Sequence, residues 1–183
     1  MRGPKWLVFF TAGALIGCSQ PASQEGGEVI RLVSSLPLTG SSRTQSETMS
    51  KGMIMALEEA HYRVGPYKID YLSWDDATAQ AGTWEAGKEK ENAQRAAADP
   101  DVMAYLGTYN SGASKVSIPI LNQADLVQVC PAATYPGLTK PGTGEANEPG
   151  IYYPKGFRNY CRVVPADDLQ GAAGASAAQS LGV

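Results

Sequence analysis

The sequence predicts an α/β domain built on a doubly wound, parallel, five-stranded sheet. Three observations lead there. First, five runs with strand character (residues 29–36, 67–74, 101–107, 126–130 and a stretch within 157–165) alternate with segments of helical character. Strands that alternate with helices form βαβ units, which give parallel pairing and helices on both faces. Second, Gly-, Ser- and Thr-rich loops follow the first, third and fourth runs, where such sheets hold their ligands. Third, 183 residues with 43% hydrophobic content and a formal charge of −3 describe about one ordinary globular domain.

The chain opens on a targeting segment. Arg2 and Lys5 precede an apolar run over 6–17. That run is shorter than the ~20 residues a membrane-spanning helix needs, and it has the length of a signal-peptide core. It closes on Leu15-Ile16-Gly17-Cys18, a tetrapeptide that looks like a bacterial lipobox. The expectation is a lipoprotein signal peptide over 1–17, with Cys18 lipidated as the new N-terminus and a flexible tether over 18–28. Removal of 1–17 leaves 13 basic against 18 acidic residues. A mildly acidic chain without a basic run excludes a nucleic-acid role.

The elements follow in order. Residues 29–36, VIRLVSSL, read as the first strand, and PLTGSSRTQ as a loop with Pro and Gly. Residues 46–61 read as a helix: Met49, Met53, Leu57 and Ala60 share one face, Ser46 is placed to cap it, and Glu47 suits its first turn. The motif RVGP ends it. The second strand, 67–74, runs into Asp75-Asp76, and a long polar helix is expected over 81–98, stopped by Asp99-Pro100. The third strand ends at Gly107. A helix begins near Ser111, and Pro119 is expected to kink it. The fourth strand leads into a structureless loop over 131–156, a length that in compact domains is often functional. The fifth strand precedes an Ala-rich helix over 166–182, whose small face suits close packing.

Catalytic chemistry finds little support. Gly107 to Ser114 has the spacing G-x-x-x-x-G-x-S, but Ala113 stands where a phosphate loop carries its lysine. The free N–H groups of a helix N-terminus still favour one negative charge, which suits a carboxylate. His61 is the sole histidine and falls near a helix end, away from any Ser–His arrangement. There is no G-x-S-x-G elbow and no His/Cys cluster for a metal; no cofactor motif is present. Asp75 and Asp76 suggest acid–base work or, between a strand and a helix, hydrogen bonding to the loop and cap. Cys130 and Cys161 read as two small buried residues rather than a bridge.

Taken together, LPLTG, GMIMALEEA, WDDATA, DVMAYLGTYNSGAS, IPILNQADL, CPAATYPGLT and FRNYCRVVPADDLQG resemble the solute-binding lipoproteins of branched-chain-amino-acid-type ABC transporters, the type I periplasmic binding proteins. The motifs stand in that family's order across about 29–183. The resemblance implies that 29–183 form the first of two α/β lobes that close over a ligand, the second lobe lying beyond this sequence. It implies that Ser111 offers its hydroxyl and N–H to a ligand carboxylate. Thr134 adds an N–H there and its hydroxyl to the ligand ammonium, and Ala132 offers its carbonyl to the same ammonium. Gln45, Tyr109 and Asn110 match positions that line the side-chain pocket; two of them are polar, which departs from a purely aliphatic pocket. Asp167 matches an acidic position near the cleft, where capping the last helix is the plainer role.

The function implied is extracytoplasmic capture of an amino acid or related small polar solute for an ABC permease, by a protein held to the cell envelope through its lipid. No covalent chemistry and no cofactor belong to it. Two rivals stand beside it. The same fold serves as a ligand-sensing receptor domain, against which the lipobox argues. An α/β enzyme using Asp75 and Asp76 is the other.

Overall fold

The computed structural model describes residues 28–183. The expected signal peptide over 1–17, the expected lipidation site Cys18 and the expected tether through residue 27 lie outside the described residues. In chain order the elements are β1 (Val29–Leu36), α1 (Arg43–Glu59), β2 (Arg63–Val64), β3 (Tyr67–Asp75), β4 (Ala77–Thr78), β5 (Thr83–Trp84), α2 (Ala86–Ala98), β6 (Val102–Gly107), α3 (Ser111–Gln123), β7 (Val127–Cys130), β8 (Tyr160–Arg162) and α4 (Asp167–Leu181). Two 3₁₀ turns, Pro136–Leu138 and Gly150–Tyr152, lie between β7 and β8.

The sheet runs β2-β3-β1-β6-β7-β8. The expected five strands all pair in parallel, and β2 adds a two-residue antiparallel edge to β3. The winding reverses between β1 and β6, because β3 lies on one side of β1 and every later strand of this sheet lies on the other. At such a switch point the loops leaving neighbouring strands diverge and open a crevice at the strand carboxyl ends. The β1 exit loop and the β6 exit loop are the two that diverge here.

The core forms where alternate strand residues meet α2 and α3. Val33 and Tyr105 are fully buried against Ala93, Ala96 and Leu121. Burying a side chain of the size of Val33 or Leu121 contributes about 1.5–3 kcal/mol. Helix α2 turns Glu89, Asn92, Ala93 and Ala96 inward, a spacing of 3, 1 and 3 that forms one helical face. At the strand amino ends, Arg31 ties Asp70, Asp99 and Asp101 together.

Several expectations need correction. Helix α1 starts at Arg43 with Ser42 as its N-cap; Ser46 is buried inside it, and Glu47 pairs with Arg43 at 2.6 Å rather than sitting in the first turn. His61 follows the helix in a left-handed conformation (φ 52°), as a residue just past the C-cap does. The region expected as the start of α2 is a β-hairpin, β4 and β5, turned at Gly82 with φ 64°. Helix α3, as expected, contains Pro119, and it runs to Gln123. The segment over 131–156 is not structureless. It lies where a crossover helix would be, burying Leu138, Tyr152 and Tyr153 against Ile118, Cys130, Ala133 and Tyr160.

Helix α4 buries none of its residues, so its small face is not packed into the core as expected. Helix α1 lies against the other sheet face, where Tyr71 reaches the Met53 sulfur at 3.5 Å. Beyond α1 that face is uncovered: Val127 is 42% and Val163 71% exposed. Cys161 is exposed, contrary to expectation, while Cys130 is buried; both are free thiols.

Candidate functional site

Three chain segments converge at the carboxyl ends of β1, β6 and β7. The first is the β1 exit loop. The Asp75 carboxylate holds it, accepting from the Leu38 N–H at 2.8 Å and the Thr39 hydroxyl at 2.6 Å, and from the Ala77 N–H at 2.9 Å. This agrees with the loop role expected of Asp75, but the hairpin separates it from α2, whose N-cap is Glu85. The loop also leans on the hairpin. A Cβ at Gly40, which has φ 86°, would sit 2.0 Å from the Gly82 carbonyl oxygen, so glycine is required there.

The second segment, Thr108 to Asn110, leads into α3. Asn110 is the N-cap and Ser111 the first helical residue, so the plain capping role considered for Ser111 falls to its neighbour. The Thr108 hydroxyl donates to the Asn110 carbonyl at 2.7 Å and fixes the turn. The N–H groups of Ser111, Gly112 and Ala113 precede the first intrahelical bond, which runs from the Ser114 N–H to the Asn110 carbonyl. No acid stands in the first turn to neutralise the dipole there, so this end favours an anion. Ala113 is fully buried, which leaves no room for the lysine a phosphate loop would need.

The third segment is Pro131 to Tyr135. The Tyr135 N–H donates to the Ser111 hydroxyl oxygen at 3.2 Å, joining residues 24 apart in sequence. That bond uses an acceptor lone pair of Ser111 and leaves its O–H free to donate. Every carbonyl of residues 133–135 is engaged. Arg162 donates to Ala133 O at 3.2 Å and to Tyr135 O at 3.0 Å, and the Asp167 N–H donates to Thr134 O at 2.9 Å. The Thr134 N–H and hydroxyl and the Ala132 carbonyl take part in no hydrogen bond among the described residues. Ser111, Ala132 and Thr134 are each partly exposed.

The bond from Tyr135 to Ser111 thus sets Ser111 beside the segment that carries Ala132 and Thr134. Tyr109 and Asn110 flank them, half-buried, with the Asn110 side-chain oxygen buried and unpaired. Gln45 lies exposed in the first turn of α1, and no hydrogen bond ties it to Ser111 or Thr134. Asp167 contributes its backbone N–H; the cap of α4 is Ala166.

Two features escaped the sequence reading. One is Glu148, whose side chain is 1% exposed. Burial pushes its carboxyl up, but donors from Tyr135, Tyr152, Lys115 and the Glu145 N–H outweigh that and hold it down to about 2. This carboxylate pins the Tyr135 ring, over which Lys115 sits at 4.2 Å. The other is a buried acid pair beneath the cleft. Asp76 is fully buried with both carboxylate oxygens unpaired. Glu89, fully buried on α2, accepts from the Ser35 hydroxyl at 2.6 Å and the Tyr105 hydroxyl at 3.0 Å. Burial raises Asp76 to about 7 and Glu89 to about 8, helped by the neighbouring carboxylate charges. An acid–base role for Asp75 and Asp76 lacks access: one is committed to the loop, the other is sealed from solvent.

A wider hollow of about 870 Å³ lies at the opposite, amino-terminal edge of the sheet. Its lining joins Val29, Ile30, Val64, Tyr67 and Met103 to the acids Glu28 and Asp101, and gives an anion no cation. The groups suited to a carboxylate are at the other end.

No family model matches the chain, and no curated protein matches it. Solved structures do. A leucine-binding protein from Thermotoga maritima shares 25% identity over 84% of this chain and 38% of its own, with a TM-score of 0.65. An ABC transporter substrate-binding protein from Desulfitobacterium hafniense, in complex with Leu, shares 25% identity over 76% of this chain and 35% of its own, with a TM-score of 0.58. A solute-binding protein from Rhodopseudomonas palustris in complex with 3,4-dihydroxybenzoic acid shares the fold alone, at 17% identity and a TM-score of 0.59, over 75% of this chain and 32% of its own. The chain thus spans about a third of the length of these structures. The fold is that of one lobe of a type I periplasmic binding protein, and the structures it resembles are substrate-binding proteins of ABC transporters.

Proposed function

We propose that this chain forms the first lobe of an extracytoplasmic solute-binding protein that captures an amino acid or related small carboxylate for an ABC permease. One observation carries the reading. The free N–H groups at the start of α3 and the free O–H of Ser111 stand beside a limb whose Thr134 N–H and hydroxyl are unengaged. These donors suit a carboxylate, and the open Ala132 carbonyl suits an ammonium. The bound solutes named for the similar structures, Leu and a dihydroxybenzoic acid, differ in everything but a carboxylate, which supports a role for this wall in holding that group. A second lobe closes the cleft from the other side. The protein acts by binding and release rather than by turnover. Cys18 carries the lipid that keeps it at the cell envelope, and the permease is its partner.

Calorimetric titration of the natural full-length protein with amino acids, their amides and aromatic acids tests this. Ser111→Ala and Thr134→Ala are each expected to weaken the best ligand by roughly 10- to 150-fold, the worth of one hydrogen bond to a charged group. Losses under about threefold at both positions place the carboxylate elsewhere and overturn the assignment.

A further inference from the structure

Arg162 stands out because its contacts do not explain its charge. Its guanidinium donates to the carbonyls of Ala133 and Tyr135 and to the Thr139 hydroxyl, at 3.2, 3.0 and 2.7 Å. The Tyr160 ring centroid lies 5.9 Å away. No carboxylate pairs with it among the described residues, whereas the other partly buried cations there, Arg31, Lys88, Lys115 and Lys140, each have one.

The placement is specific. Arg162 ends β8, beside Cys130 at the end of β7, so it rises just behind the limb that leaves β7. It bridges the carbonyls on either side of Thr134, while the Asp167 N–H takes the Thr134 carbonyl. With all three carbonyls turned to the lobe, the polar groups of Thr134 are left without a competitor inside it. We propose, building on the solute-binding reading above, that Arg162 is a positioning residue of the ligand site: it orients the Ala133–Tyr135 limb and biases the site toward a ligand that ends in a carboxylate. It does this without touching the ligand. A planar guanidinium can bridge two carbonyls and a hydroxyl at once; an ammonium on a flexible stem holds fewer of them.

The test uses the natural full-length protein, wild type, Arg162→Lys and Arg162→Gln, each checked for folding by circular dichroism. One readout needs no ligand: amide hydrogen exchange across residues 133–139. Exchange at the Tyr135 N–H, which is bonded to Ser111, is expected to speed up about tenfold in Arg162→Gln and less in Arg162→Lys. Unchanged exchange in both folded variants means the limb does not depend on Arg162 and overturns the proposal, whatever solute the protein takes. The second readout compares L-leucine with L-leucinamide. Arg162→Gln is expected to lose about tenfold or more for the acid and under threefold for the amide, with Arg162→Lys between it and wild type. Equal losses for both probes mean a merely structural role and also overturn it. If Arg162→Gln does not fold, Arg162→Lys carries both readouts. Failure of the wild type to bind either probe counts against the solute-binding reading for leucine, and exchange still decides whether Arg162 holds the limb.

Discussion

Stability of this domain should fall as pH rises from about 5 to 8, and the buried acid pair should be the reason. Glu89 and Asp76 have folded-state values of about 8 and about 7, raised by burial from 4.5 and 3.8. A carboxyl whose folded value is raised holds its proton more tightly in the folded chain than in the unfolded one. Its contribution is complete below the unfolded value and is lost as pH climbs through the folded value. For Glu89 the loss begins near pH 4.5, and about half of it falls between pH 6 and 8. Linkage across that interval gives about 2 kcal/mol for Glu89 and about 1 kcal/mol for Asp76. The groups around the pair do not reverse the sign: Ser35, Tyr105, Asn92 and Ser117 are neutral, and Asp75 adds negative charge. Glu89→Gln copies the protonated acid in shape, and its amide can donate to the Tyr105 or Ser35 oxygen. The measurement is urea denaturation of wild type and Glu89→Gln by circular dichroism at pH 5, 6, 7 and 8, at constant ionic strength. Wild type should lose about 2 kcal/mol or more between pH 6 and 8, and the variant should lose about 1 kcal/mol or less. A wild-type profile that is flat over that interval, or a variant with the full slope, would refute the reasoning.

Two further outcomes are expected. Gly107→Ala should destabilise the domain by about 1–3 kcal/mol through overpacking, because an added Cβ would lie 2.6 Å from the Ser35 carbonyl oxygen; an unchanged urea midpoint would contradict the close approach of β1 and β6. Mass spectrometry of the membrane-associated protein should find a lipidated Cys18 as the first residue, and retention of Met1 would sink the lipobox reading.

What was legible in the sequence is what repeats along it. The five parallel strands are legible as apolar runs at the spacing of βαβ units, and Val29–Leu36 matches its expected bounds to the residue. The hairpin of β4 and β5 was not, because two-residue strands are too short to show a period and ATAQAGTWEAG is rich in helix formers. The start of α1 was misplaced because Ser41, Ser42, Thr44 and Ser46 all suit a cap. Only the turn at Gly40, held by its contact with Gly82, selects Ser42. Nothing singles out Glu89 inside AGKEKENAQRAAA, where Lys88, Lys90 and Glu91 stand beside it. Its burial shows in the sequence only as its spacing of 4 and 7 from Ala93 and Ala96.

The same distinction separates the parts of the site. Ser111 and Thr134 carry their chemistry in side chains at strand exits, where a reader looks for it. What orients them is hidden, because Arg162 and the Asp167 N–H act on backbone carbonyls that every residue has. The bond from the Tyr135 N–H to Ser111 shows why the two loops work as one wall. It spends the acceptor side of the serine within the lobe and leaves its donor side for a ligand, and a hydroxyl that accepts one hydrogen bond becomes a better donor in the next. A wall of donors of this kind recognises the carboxylate and takes little notice of what that carboxylate is attached to. On the proposed reading, selectivity among acids comes from Tyr109, Asn110 and the proposed second lobe, so substitutions at Tyr109 or Asn110 should reorder a series of acids, while substitutions at Ser111 or Arg162 should weaken every acid in it.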